Sequence, residues 1–241
     1  PRVPAADSAH AQHLPRFLPM IGTAIGPIKP ANVMVVGAGV VGLQAIATAK
    51  RLGAVVRAWD IRDAARTEAG SLGAKVMGFD VPAELAIGSG GYAKALPKDW
   101  LKQEQEAFEA VIGDFDIVVL CALVPGNLAP VIVTKQAVAR MKPGSVIVDV
   151  SIDQGGNCEL TRAGEEIVVN GVRVCGLQNI PGRMAVHASW LYANNMFHYV
   201  DNLFKDGPGS LDLQDEIARA SLVTIQGRIV FQPALEAMGG A

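Results

Sequence analysis

The chain has 241 residues, is half hydrophobic and only 18% charged, and bears a formal net charge of −2. That is the balance of an α/β protein with a buried parallel sheet, and the scattered Lys and Arg give no electrostatic footprint for nucleic acid. No apolar run reaches the roughly eighteen residues that span a bilayer, so direct membrane insertion is not expected.

Residues 5–21 follow a loose helical period broken by Pro15 and Pro19, and the Gly- and Pro-bearing stretch 22–30 reads as a linker. An apolar strand over 32–37 then runs into Gly37-Ala38-Gly39-Val40-Val41-Gly42 and directly into a helix over 40–52, with Val41, Ile46, Ala49 and Leu52 toward the sheet. A strand ending in GxGxxG at a helix start is the architecture of a dinucleotide pyrophosphate site. Gly37 permits the tight turn, Gly39 lets backbone approach phosphate, and Gly42 lets the helix lie close on the strand. The pyrophosphate then meets the free N–H groups of the helix N-terminus.

A lone motif of this kind is weak evidence in a chain with 26 glycines. The next strand, 54–60, strengthens it by ending in Asp60, eighteen residues beyond Gly42, where an acid meets the adenosine ribose hydroxyls. A carboxylate there repels a 2′-phosphate, which favours NAD over NADP, although Arg62 two residues on argues the other way. Asp63 is placed to cap a helix that Gly73 stops, and a short strand follows over 74–77. A long polar connection over 78–98 contains Gly88-Ser89-Gly90-Gly91-Tyr92, either a functional loop or a flexible turn.

Asp99 opens an amphipathic helix to Ile112, and 116–123 is the next buried strand, turning at Val124-Pro125-Gly126. Thr134 caps a short helix to Met141, and a strand over 145–150 leads into the polar loop 151–159. Alternating βα units of this kind require a parallel sheet with right-handed crossovers. Asn170-Gly171 then signals a hairpin between 167–169 and 172–175. A helix over 188–204 carries an apolar stripe of Leu191, Met196, Tyr199, Val200 and Leu203, suited to packing or a subunit contact. A linker over 206–214 and a hairpin around Gln226-Gly227 close the chain.

The candidates for chemistry are the polar loops at the carboxyl edge of the sheet: 88–92, 122–127, 151–159 and 178–183. Asp153 is a carboxylate suited to polarising a reacting group or holding a water, or equally a turn residue. Asn179 is suited to a carboxamide or to a turn, and Arg183 to a carboxylate or phosphate or to a surface acid. The four histidines have no metal-ligand spacing, so no metal is expected, and the three cysteines show no CxxC pairing and read as reduced structural thiols. From the residues alone the reading is an NAD-binding α/β domain of a hydride-transfer enzyme.

Several strings taken together point to one family: Ala31 to Ala49, Asp60-Ile61-Arg62, Gly90-Gly91-Tyr92-Ala93-Lys94, Ala122-Leu123-Val124-Pro125-Gly126, Met141 to Asp149, Gly155 to Leu160 and Leu191 to Asn195. They resemble the NAD(H)-binding domain, the bacterial alpha subunit, of the proton-translocating NAD(P) transhydrogenases and the related alanine dehydrogenases. The resemblance implies NAD as cofactor, with Val40, Asp60, Ile61, Arg62, Gly91 and Leu123 at the nucleotide; the glycine turn adds Gly37, Gly39, Val41 and Gly42, and the sheet-edge loops add Ala122 and Asn179. It pairs Arg62 with NAD. It also implies a cytoplasmic homodimer, peripheral at the inner face of the bacterial inner membrane, that exchanges hydride with an NADP(H)-binding partner domain and is coupled to proton movement through a membrane domain.

Two departures bear on that expectation. Glu104 stands where transhydrogenases carry a nucleotide-contacting glutamine, and Ser151-Ile152-Asp153 is closer to alanine dehydrogenase, in which the matching aspartate is catalytic. About thirty residues precede the first strand, where both families have roughly half of a second domain, so a fragment or a shortened relative is expected. The fold expected is α/β, a Rossmann-type doubly wound parallel sheet with a partial second domain made from the chain termini. Residues 1–26 form an N-terminal arm and linker, 27–186 the NAD-binding domain, and 187–241 a portion of the second domain. The rival readings are an alanine-dehydrogenase-like oxidoreductase and a catalytically silent NAD-binding module.

Overall fold

The computed structural model describes residues 14–205, 207 and 211–239. The chain divides into two compact units, one to Met184 and one from Ala185. The first contains a small hairpin, β1 (Ile21–Thr23) and β2 (Gly26–Ile28), and is built on a seven-stranded sheet. The strands of that sheet are β3 (Asn32–Val36), β4 (Val55–Trp59), β5 (Lys75–Met77), β6 (Ile117–Leu120), β7 (Val146–Asp149), β8 (Glu166–Val169) and β9 (Val172–Cys175). They lie in the order β5-β4-β3-β6-β7-β9-β8. Every neighbouring pair is parallel except β8 with β9 at the edge.

Alternation along β3 shows why both faces are covered. Val33 and Val35 enter one buried cluster with Ala45, Ile46 and Ala49 of α1 (Val40–Arg51) and with Ala65 and Ala69 of α2 (Asp63–Ser71). Met34 and Val36 enter the other with Phe108 of α4 (Lys98–Glu109) and with Ala137 and Val138 of α5 (Lys135–Ala139). A strand whose two faces are both buried reads as a continuous apolar run, which is what a doubly wound parallel sheet requires. The sheet reverses its winding at β3, with β4 on one side and β6 on the other. The loops after β3 and β6 therefore diverge at the crevice where such folds bind ligands.

Local chemistry fixes several boundaries. Thr134 accepts a hydrogen bond from Ala137 N–H and caps α5, as its sequence predicts. Asn170 and Gly171, with φ of 51° and 79°, turn the β8–β9 hairpin. Other expectations are corrected. Asp63 does not cap α2 but is its first residue, Arg62 holding the cap position in extended conformation. Leu52 ends α1 and is exposed at 42%, because the chain leaves the helix there.

The stretch 22–30 is not a plain linker, since β1 and β2 pair antiparallel, closed by Thr23 donating to Gly26 O. The connection 78–98 also holds structure, with α3 (Ala83–Ala86), a 3-10 turn at Ser89–Gly91 and a bridge between Ile87 and Ala93. Of the helical pattern read over 5–21, residues 5–13 lie outside the described residues, and 14–20 bend without helix around Pro15 and Pro19.

A short helix, α6 (Ile180–Arg183), ends the first unit. The second unit contains α7 (Ala185–Leu203), α8 (Glu216–Ser221), a hairpin of β10 (Thr224–Ile225) and β11 (Arg228–Ile229), and α9 (Gln232–Ala237). Asp215 caps α8 by accepting from Ala218 N–H. No residue of α7 is buried, and Trp190, Tyr192 and Phe197 are each about two-thirds exposed. Of the linker read at 206–214, residues 206 and 208–210 lie outside the described residues. No helix among the described residues is long and apolar enough to cross a membrane.

Candidate functional site

The glycine turn is dictated by sterics at two positions. Gly37 has φ of +88°, and a Cβ there would lie 2.7 Å from the backbone of Ala122, so only glycine allows β3 to turn against the β6 loop. A Cβ on Gly42 would fall 1.8 Å from Gly37 O, so α1 packs on the turn only without a side chain. Gly39 differs: a Cβ there would meet nothing within 4 Å. No side chain caps the N-terminus of α1, where Gly39 holds the cap position and the first turn has no acidic residue. Backbone donors and the positive end of a twelve-residue helix thus face open space, a ready site for an anion.

That space is a cleft of about 680 Å³, within the ~300–1,000 Å³ of small-molecule sites. Ten of the sequence-identified residues border it: Gly37, Gly39, Val40, Val41, Asp60, Ile61, Arg62, Gly91, Ala122 and Leu123. Val40 is 87% exposed at its mouth. Gly42, Asn179 and Asp153 are not on its wall. Gly42 lies behind the turn, buried in α1.

Asp60 sits at the end of β4, buried at 6% exposure. It accepts from Ala38 N–H at 2.8 Å, from Arg62 N–H at 2.8 Å, and from the Arg62 guanidinium at 2.9 and 3.1 Å. One carboxylate therefore ties the glycine turn to the start of α2. The guanidinium reaches on toward Gly91 O at 3.5 Å across the cleft.

The carboxyl edge of β7 is organised differently. Asp149, at the strand end, accepts from Ser151 N–H and Oγ–H and from the N–H groups of Asn157 and Cys158, at 2.8–3.2 Å. Burial pushes its carboxyl up, against these donors. Asn157, fully buried, receives Ala122 N–H at 3.0 Å and donates to Ala122 O at 2.9 Å and Pro130 O at 2.7 Å. One amide thus holds both backbone groups of a residue on the cleft wall. Asp153 stands outside this buried knot, exposed, 3.3 and 3.4 Å from Asn179 N–H. Asn179 has a left-handed backbone, φ 49° and ψ 47°, and its side chain accepts from Gly182 N–H to cap α6.

Glu104 is a wall residue that the sequence marks only as a departure from the family pattern. It is buried at 3% exposure, borders the cleft, and its Oε1 accepts from Trp59 Nε1–H at 3.0 Å. Burial lifts its carboxyl from 4.5 to about 7, the Trp59 hydrogen bond working against the lift and the Asp60 charge adding to it. A sequence signal for it exists: Leu101, Glu104 and Phe108 share the inward face of α4, where an acid stands out among apolar neighbours. Asn157 has no comparable signal, being one polar residue in a polar loop. Among the described residues no cluster of three or more His, Cys, Asp or Glu is placed to hold a metal ion.

Similarity to known proteins follows the same lines. Residues 6–232 match the family model described as alanine dehydrogenase/PNT, C-terminal domain. The chain is 43% identical over 232 residues to an NAD(P) transhydrogenase subunit alpha protein of Rhodospirillum rubrum, covering 95% of this chain and 60% of that protein. A transhydrogenase structure from Sinorhizobium meliloti superposes with a TM-score of 0.75 at 40% identity, covering 93% of this chain and 60% of that one. Alanine dehydrogenase of Methanococcus maripaludis is more distant, 29% identical over 215 residues, 87% of this chain and 52% of that protein. The chain thus spans about 60% of the length of these two transhydrogenase relatives.

Proposed function

Since the chain belongs to the alanine dehydrogenase/PNT C-terminal-domain family of oxidoreductases, we propose that it is the NAD(H)-binding component of a hydride-transfer enzyme of the transhydrogenase kind. The observation that carries this reading is the uncapped N-terminus of α1 opening on the cleft, with Asp60 at the end of the adjacent strand. The first N–H groups of α1 hold the pyrophosphate, and Gly39 leaves room for it. Asp60 meets the adenosine ribose hydroxyls, Ile61 and Arg62 flank it, and Gly91, Ala122 and Leu123 line the rest. NAD supplies the hydride chemistry when bound; the protein orients it and excludes water around it.

The choice of NAD over NADP rests on the Asp60–Arg62 pair. With its guanidinium bound to the carboxylate at 2.9 and 3.1 Å, Arg62 is neutralised locally and not free to attract a 2′-phosphate. The partner in this reading is an NADP(H)-binding domain, with a membrane domain beyond it, and the chain itself lies in the cytoplasm at the inner face of the inner membrane. The unit from Ala185 belongs to a second domain, and the exposed aromatic residues of α7 suit a homodimer contact.

The test is calorimetry with NADH and NADPH, followed by hydride exchange from NADPH to an NAD analogue with an added NADP-binding partner. NADH is expected to bind at least about tenfold more tightly than NADPH, a difference of about 1.4 kcal/mol, and Asp60→Asn to erase most of that preference. Failure of NADH to bind would sink the reading. Binding without exchange, together with NADH oxidation by pyruvate and ammonia, would replace it with an amino-acid dehydrogenase.

A further inference from the structure

We propose that Glu104 makes cofactor binding proton-linked: the protein takes up a proton at this side chain as dinucleotide enters the cleft. The proposal rests on the NAD(H) reading above and adds a regulation of that site. Its geometry is the starting point. Glu104 reaches the cleft wall from α4 while almost wholly removed from solvent, and its single hydrogen bond among the described residues is the one Oε1 receives from Trp59. Among the same residues no protein group donates to the second carboxyl oxygen, which relies on what contact the cleft gives it with water.

The charged surroundings point the same way. Asp60, at the end of β4, is the charged group that bears on Glu104, and it is an anion. Arg62, which borders the cleft beside it, is spent on Asp60. On α5 and at its end, Lys135 and Arg140 are turned to Glu159 and Glu109. Glu68, Tyr92 and Lys94 border the same cleft from α2 and the 88–96 loop; Lys94 is a cation there, but it is not among the groups that act on the Glu104 carboxyl.

A carboxyl so placed already titrates near neutrality, at about 7. A bound dinucleotide makes its charged form worse in two ways. The ligand displaces water from the cleft wall, which removes what solvation the carboxylate retains, and its pyrophosphate adds negative charge to the same cavity. Both effects favour the neutral acid in the complex. Thermodynamic linkage then requires that affinity fall as pH rises through the titration of the free protein. The neutral acid also gains a donor, which an ionised carboxylate lacks, to offer to a ribose hydroxyl or adenine nitrogen.

The measurement is NADH calorimetry in buffers of different ionisation enthalpy. Wild-type protein is expected to take up close to one proton per NADH at about pH 8 and almost none at about pH 5.5, with affinity falling up to about tenfold per pH unit above 7. Glu104→Gln keeps the acceptor for Trp59 and cannot ionise, so its affinity is expected to be flat over that range and its proton uptake near zero. Binding without uptake in the wild type, or uptake that persists in Glu104→Gln, would overturn this proposal alone. No NADH binding at any pH would overturn the cofactor reading and this proposal with it.

Discussion

The two sides of the crevice spend their buried carboxylates differently. On the β3–β4 side, Asp60 sits on the cleft wall, and its bonds fix the glycine turn and Arg62 in the same stroke. On the β7 side, Asp149 and Asn157 form a buried knot, while the loop's other acid, Asp153, is exposed and away from the wall. Each side therefore has one rigid anchor, but only on the first does the anchoring acid also face the ligand space. A carboxylate past a strand end is a site residue when the backbone that holds it also forms the cleft. When a second acid does the holding, its neighbour is left on the surface.

The largest effect breaks the first side. Gly42→Ala sets a methyl group against Gly37 O and is expected to destabilise by about 3 kcal/mol or more, seen as a fall in Tm with loss of NADH binding. Gly39→Ala, in the same motif, is expected to change stability by less than about 0.5 kcal/mol yet to weaken NADH binding strongly, because its methyl group enters open cleft. If both variants unfold alike, the division of labour within the turn is wrong.

The next effect concerns Glu104 and follows from linkage. Its folded-state value of about 7 lies above the ordinary 4.5, so the folded state binds this proton more tightly than the unfolded chain. The acid thus costs nothing below pH 4.5, and its penalty grows as pH rises to about 7 and is constant above. Glu104→Gln is expected to match wild-type stability at low pH and to exceed it by up to about 3 kcal/mol at pH 8, measured by denaturant unfolding across pH.

What the sequence disclosed and what it hid divide by distance along the chain. The strand–turn–helix at Gly37, the hairpin at Asn170-Gly171 and the Thr134 cap are each decided within a few residues, and all appear where the local pattern puts them. The alternation of strands and helices likewise fixes the doubly wound sheet. The environment of Glu104 is made by Trp59, forty-five positions away, and the hold of Asn157 on Ala122 spans thirty-five. Neither pairing leaves a local period to read. Asp153 depends on distance in the same way: its loop and chemistry suggest a site, and the contact that places its carboxylate comes from Asn179, twenty-six positions on.

On the second side, Asn157→Ala removes the amide that satisfies Ala122 N–H, Ala122 O and Pro130 O. Leaving such groups buried without partners costs about 2 kcal/mol. NADH affinity is expected to fall about fivefold as well, since the freed residues belong to the cleft wall. A loss of stability with unchanged affinity would show that the knot supports the fold without shaping the cleft.

The smallest effect is the most decisive between rival chemistries. Asp153 makes only long contacts to Asn179 N–H and is exposed, so Asp153→Asn is expected to shift stability by less than about 0.5 kcal/mol. NADH affinity and hydride exchange with an NADP-binding partner should both stay within about twofold of wild type. An amino-acid dehydrogenase predicts the opposite, because a carboxylate that handles the reacting proton cannot be replaced by a neutral amide without losing turnover. If pyruvate and ammonia oxidise NADH and Asp153→Asn abolishes it while NADH still binds, then the exposed acid does the chemistry. The buried acids Asp60 and Glu104 would in that case serve only to hold the cofactor.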